Sequence, residues 1–261
     1  MNTPLVRAPL LLLAVAACSY AVHLSAQAQR SPGSGRITTQ LGGAQPPRDE
    51  SFLPYRPLLE VQHHLRKSMP AESPRVDAWY RASFPGMSEA ERDAYVPADN
   101  ALTLVSRSTT VNIPIRRGAY FALPELQDAY DEKAKLLIGG ERTVWVGVWW
   151  TLRVPDSRQV SYGDIVSARA QIAAVQNRIS NYSPPMLKAV KRNPYDGIKA
   201  CFHGDDGGAI LVNGEARADA VDGSCKVLFS DSRIANDATI AFAGPVTAVS
   251  FIDRRFYTRS K

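Results

Sequence analysis

Between Ile198 and Phe229 the sequence strings together short β-type runs joined by tight-turn signals, and this stretch constrains the fold more than any other. Ile198 to His203 leads through Gly204-Asp205-Asp206-Gly207 into Gly208 to Val212. Asn213-Gly214 then connects to Glu215 to Val221, and Asp222-Gly223 connects to Ser224 to Phe229. Asn-Gly and Asp-Gly favour type I′ turns, whose twist suits a two-residue hairpin. That turn geometry puts Leu211 across from Ala216 and Ala220 across from Cys225, so a single face gathers small and apolar residues and Cys225 points into it.

Cys201 and Cys225 lie at opposite ends of this run. In a flat meander their strands would be three places apart, about 14 Å, which is further than a disulfide reaches. A bond between them therefore requires a curled sheet or two facing sheets. The expected fold is mainly β, a β-sandwich or a partly closed barrel. Regular alternation would also turn Lys199 and His203 inward with Cys201, a tension that a bulge would relieve.

Upstream, Ala101 to Ser106, Thr109 to Ile115, Ala119 to Leu123 and Ala134 to Ile138 read as short strands, and Thr143 to Val154 as the longest one. Its even positions from Val144 to Val154 are all apolar, a period of two. One amphipathic helix, about 164–181, interrupts the β pattern. Asp164 is placed at its N-cap, Ile165, Ala168, Ile172, Val175 and Ile179 form its apolar face, and Pro184-Pro185 ends it. This helix should pack on a sheet.

The N-terminal part has a different character. Arg7, an apolar stretch from Ala8 to Leu24 and the small residues Ala26 and Ala28 make 1–28 a cleavable secretory signal. An alternative reading takes Val15-Ala16-Ala17-Cys18 as a lipobox, with 1–17 removed and lipid attached to Cys18. Both routes leave Cys201 and Cys225 as the remaining pair, and an even pair in an oxidising compartment reads as a disulfide. Residues 29–97 are rich in Pro, Ser, Gly and Gln and read as a flexible tether with short helices, one over Leu58 to Met69 and one begun by the capping box Ser88-Glu89-Ala90-Glu91. The globular domain is then 98–257.

Of 261 residues, 31 are Lys or Arg against 25 Asp or Glu, a net charge of +6. That balance, without any long basic run, gives no reason to expect a nucleic-acid partner. Catalytic motifs are also missing: there is no Gly-x-Ser-x-Gly and no His-Glu-x-x-His, and no cofactor signature is present. His63 and His64 are adjacent and would diverge on a helix, so they make a poor metal pair, and no metal site is expected.

Two candidate sites remain. His203 with Asp205 could form half of a hydrolytic dyad, although Asp205-Asp206-Gly207 is also plain turn chemistry. The odd face of the long strand carries Trp145, Gly147, Trp149, Thr151 and Arg153. The two indoles would form a platform for a sugar ring or a partner's side chain, with Arg153 at its end, unless the helix covers them. The expected function is that of an exported periplasmic or secreted, non-catalytic binding or adaptor protein for an envelope protein or polysaccharide, with membrane attachment through Cys18 as the variant. The alternative is a periplasmic hydrolase assembled around His203 and Asp205.

Overall fold

The computed structural model describes residues 52–70, 75–83, 86–97, 102–138, 145–179, 194–204 and 207–257. The signal segment, Cys18 and Asp205 lie outside the described residues, as does the end of the expected helix at 180–181. The fold is mainly β and sandwich-like, built from three antiparallel sheets. No helix among the described residues is long and apolar enough to cross a membrane.

The largest sheet has seven strands. β2 (Val76–Ser83), β5 (Tyr120–Phe121), β7 (Trp145–Leu152), β9 (Gly197–Phe202), β12 (Ala220–Asp222), β13 (Cys225–Phe229) and β15 (Val246–Ile252) run in the order β12-β13-β9-β15-β7-β2-β5. A second sheet orders β1 (Phe52–Pro54), β6 (Lys135–Ile138), β3 (Leu102–Val105) and β4 (Thr110–Asn112) as β1-β6-β3-β4. The third orders β11 (Glu215–Ala216), β10 (Ala209–Val212), β14 (Thr239–Ala243) and β8 (Gln159–Ser161) as β11-β10-β14-β8.

One face of the large sheet supplies the core. Tyr80, Ala82, Trp150, Leu152, Ile198, Ala200, Phe202 and Val249 are buried there. Helix α1 (Tyr55–Ser68) lies on this face, where the Tyr80 hydroxyl donates to the Leu58 carbonyl. Beside it pack the short α3 (Gln127–Asp131) and α4 (Tyr162–Ile179), the latter burying Ile165, Ala168, Ile172, Val175 and Ile179 at the spacing expected of one helical face. The cap of α4 lies three residues before the expected Asp164. Ser161 Oγ accepts from the Asp164 N–H at 3.0 Å, and Asp164 Oδ2 accepts from the Ser161 N–H at 3.0 Å, a reciprocal capping box.

Residues 52–97 do not behave as a tether over their described part. Tyr55, Leu58, Leu59, Val61 and Leu65 are buried, and β2 pairs with β7 along its whole length from Val76↔Leu152 to Ser83↔Trp145. The prolines that read as breakers fall at tolerated places. Pro54 is the N-cap of α1, and Pro57 lies in the first turn, where a backbone N–H has no helical partner to lose.

The hairpin region divides between two sheets. Across Asn213-Gly214 the pairing is Val212↔Glu215 and Leu211↔Ala216 as expected, with φ of 51° and 87° at the two turn residues. This hairpin belongs to the β11-β10-β14-β8 sheet, while β12 and β13 return to the large one. Their turn is centred on Gly223-Ser224, so Asp222 faces Cys225 and Ala220 faces Val227. That is a slip of two, and it puts Cys225 on the side of the sheet that carries Val227, Lys199 and Cys201, opposite Ile198 and Phe202, where it is nevertheless fully buried.

This division changes how the cysteines meet. β13 lies directly beside β9, and Cys225 is the cross-strand partner of Cys201 with Cα atoms 4.0 Å apart, within disulfide distance. Neither a curl nor a facing sheet is needed, because the intervening hairpin has left the sheet. At Gly208, where the chain departs, a Cβ would fall 2.1 Å from the buried Phe202 ring, so no side chain fits there. The disulfide closes a separation of 24 residues. Replacing Cys225 with Ser should therefore cost about 3 kcal/mol, read as a lower denaturant midpoint, and the unreduced wild-type protein should resist alkylation by iodoacetamide at both cysteines.

Candidate functional site

The second face of the large sheet is polar and aromatic. On β2 it carries Asp77, Trp79 and Arg81, opposite Thr151, Trp149 and Gly147 of β7. Ser250 of β15 faces Thr151, Lys199 of β9 faces Ser250, and Val227 of β13 faces Lys199. Because side chains alternate along a strand, all of these project to the same side. Helix α2 (Glu89–Ala94) lies over them, started by the expected capping box between Ser88 and Glu91.

Arg81 and Lys199 are 1% and 2% exposed, yet both are cationic side chains rising from the sheet. Their counter-charges come from α2. Arg81 donates to Asp93 Oδ1 at 2.5 Å and Glu89 Oε1 at 2.7 Å, and through Nε to the Gly118 carbonyl at 2.9 Å. Lys199 Nζ donates to Asp93 Oδ2 at 2.6 Å and Glu89 Oε1 at 3.1 Å, with Asp222 at 3.7 Å. Each buried charge thus has several partners, the condition under which burial of ions is tolerated.

Burial alone would push the Glu89 carboxyl up, but the charges of Lys199, Arg81 and Arg92 outweigh it and hold it at about 2. Burial lowers Lys199 and Arg81, and the surrounding anions more than compensate, so both stay protonated. Burial pushes the Tyr120 hydroxyl up. This is a closed, neutralised cluster, and the arrangement positions α2 instead of offering a poised acid or base.

Beside the cluster runs an aromatic strip. Trp149 and Trp79 are cross-strand neighbours, both half-buried, and Trp145 is 38% exposed. α4 does not cover these rings, since it lies on the Trp150 side of the sheet. The Trp149 indole leans over Gly147, where an added Cβ would touch Cζ3 at 3.4 Å. The Arg81 guanidinium is 5.3 Å from the Trp149 ring centre, and the Arg116 guanidinium is 4.4 Å from that of Trp79. Arg153, expected at the end of the platform, is held by Asp77 at 2.6 Å.

His203 stands apart from both features. It is exposed, and its Nδ1 lies 3.3 Å from Thr247 Oγ1. His63 is exposed near Glu125 at 3.4 Å. The one metal-type grouping among the described residues is Asp93 with Cys201 and Cys225, whose ligand atoms lie within 4.8 Å of one another. The two sulfurs are bonded together there, so neither has a thiolate to give a metal.

The sequence reading missed Trp79, Arg81, Glu89 and Asp93. Two signals were available. Val76 to Ser83 alternates cleanly, with Val76, Ala78, Tyr80 and Ala82 on one side and Asp77, Trp79 and Arg81 on the other. Lys199, already turned inward by the register of Cys201, needs a buried acid somewhere in the chain.

Lys199→Met should leave Asp93 short of a partner and lower the unfolding free energy by about 3 kcal/mol, and Lys199→Met with Asp93→Asn should cost less than the two changes added together. Glu89 has a depressed folded pKa, so its contribution is complete above its ordinary value of 4.5 and is lost as pH falls toward about 2. Thermal melts across that range should show the wild type losing more stability than Glu89→Gln. Compared with family models, curated proteins and solved structures, the chain matches none.

Proposed function

We propose that the protein is a non-catalytic binding protein of an exported compartment, periplasmic or envelope-associated, and that the strip of Trp79, Trp149 and Trp145 recognises a polysaccharide. The observation that carries this reading is the exposure of Trp145, in line with the half-buried Trp149 and Trp79, on the part of the sheet face that α2 leaves uncovered. Large aromatic surface left in contact with water is costly unless a ligand uses it. The C–H faces of sugar rings suit indole faces, and neighbouring polar groups can take their hydroxyls.

Trp145 and Trp149 are four residues apart on one strand, so their Cα atoms are about 14 Å apart at 3.4 Å per residue. A ligand that reaches both rings must be extended, as an oligosaccharide is. The Cys201–Cys225 pair fits an oxidising compartment. Cleavage after Ala28 would free the protein, and lipid on Cys18 would hold it at a membrane; either address brings the body to envelope polysaccharide. The hydrolase alternative draws on His203 alone among the described residues, and the contact its ring makes there is with the Thr247 hydroxyl.

Affinity electrophoresis of the full chain in gels containing envelope polysaccharides tests the proposal. Retardation of the wild type should be lost in Trp145→Ala, whose exposed ring leaves the core intact, and retained in His203→Ala. Turnover of a polysaccharide that is silenced by His203→Ala would overturn the binding-protein reading in favour of the hydrolase.

A further inference from the structure

The strip ends in a charge with no counter-ion among the described residues. Arg116 is exposed, its guanidinium is stacked on the Trp79 ring at 4.4 Å, and neither it nor its neighbour Arg117 forms an ion pair with any described carboxylate. The contrast with the rest of this face is sharp. Arg81 and Lys199 are neutralised by Glu89 and Asp93, and Arg153 by Asp77. Among the described residues, two cations meet the aromatic rings of the strip: Arg81 is paired with α2, and Arg116 has donors to spare for a ligand.

We propose that the polysaccharide bound by the strip is acidic, with a sugar carboxylate seated on Arg116 beside Trp79. The inference rests on the glycan reading of the tryptophans and adds the charge of the ligand to it. The Arg116 guanidinium lies over the indole and stays exposed, and a planar guanidinium pairs a carboxylate through two parallel hydrogen bonds. A uronate ring lying on Trp79 or Trp149 would bring its carboxylate toward that edge. The net positive charge of the chain would draw such a polymer in at low ionic strength.

Titration calorimetry of the full chain with a tetragalacturonate and with the neutral tetrasaccharide of galactose separates the outcomes. The acidic sugar should bind more tightly, and its affinity should fall with added salt. Arg116→Gln should weaken it about tenfold while leaving the neutral sugar and the melting temperature unchanged. Equal binding of both sugars, with no effect of Arg116→Gln, would overturn the acidic specificity and leave the glycan reading standing. Binding of neither sugar would overturn both, and binding of a polyglutamate peptide in their place would assign the strip to an acidic protein partner.

Discussion

Two buried cations rise from the middle of the large sheet, and the rest of that face is arranged around them. Arg81 on β2 and Lys199 on β9 are far apart in sequence but meet the same two carboxylates, Asp93 and Glu89. The cost of burying an unpaired charge is several kcal/mol, so α2 cannot drift from its seat without exposing or orphaning ions. A helix of six residues has little stability of its own. Its capping box begins it, and the ion cluster holds it down. What α2 leaves uncovered becomes the aromatic strip.

The two faces of the sheet illustrate two solutions to burial. On the α1/α4 side the problem is solved by apolar packing, where Tyr80, Trp150, Phe202 and Ile198 belong to one buried cluster with Ile165, Ala168 and Ile172 of α4. On the α2 side it is solved by charge pairing and hydrogen bonds, with Ser250 and Tyr120 filling the gaps between cations. Strand β7 serves both. Its even positions complete the core, and its odd positions carry the indoles.

Much of the β architecture was legible, and the reasons for the failures are physical. Period-two alternation showed β7 and most of the short strands, and the spacing of Ile165 to Ile179 showed α4. Asn213-Gly214 set its hairpin register because two positive-φ residues leave little choice. Asp222-Gly223-Ser224 was ambiguous, since Gly223 can occupy either central position, and the turn moved on by one residue at each side. The larger errors were non-local. Nothing between Cys201 and Cys225 announces that the intervening hairpin changes sheet, and the clearest clue is the crowding of Gly208 by Phe202, which needs coordinates to be seen. Prolines around β2 concealed a central strand, because composition over a window averages away an eight-residue alternation. The partners of Lys199 lie 106 and 110 residues earlier in the chain, and local pattern cannot pair residues at that distance.

That last separation has a consequence for how the chain is made. The acids of α2 and the guanidinium of Arg81 are delivered early, and the ammonium that completes their neutralisation arrives only with β9. β2 likewise waits for β7, and β9 for both β13 and β15. An N-terminal fragment therefore has neither its sheet neighbours nor its charge balance, and the closure of long loops makes folding of the whole slow. The large sheet is therefore completed only when strands from both ends of the described chain, β2 and β15, are present together.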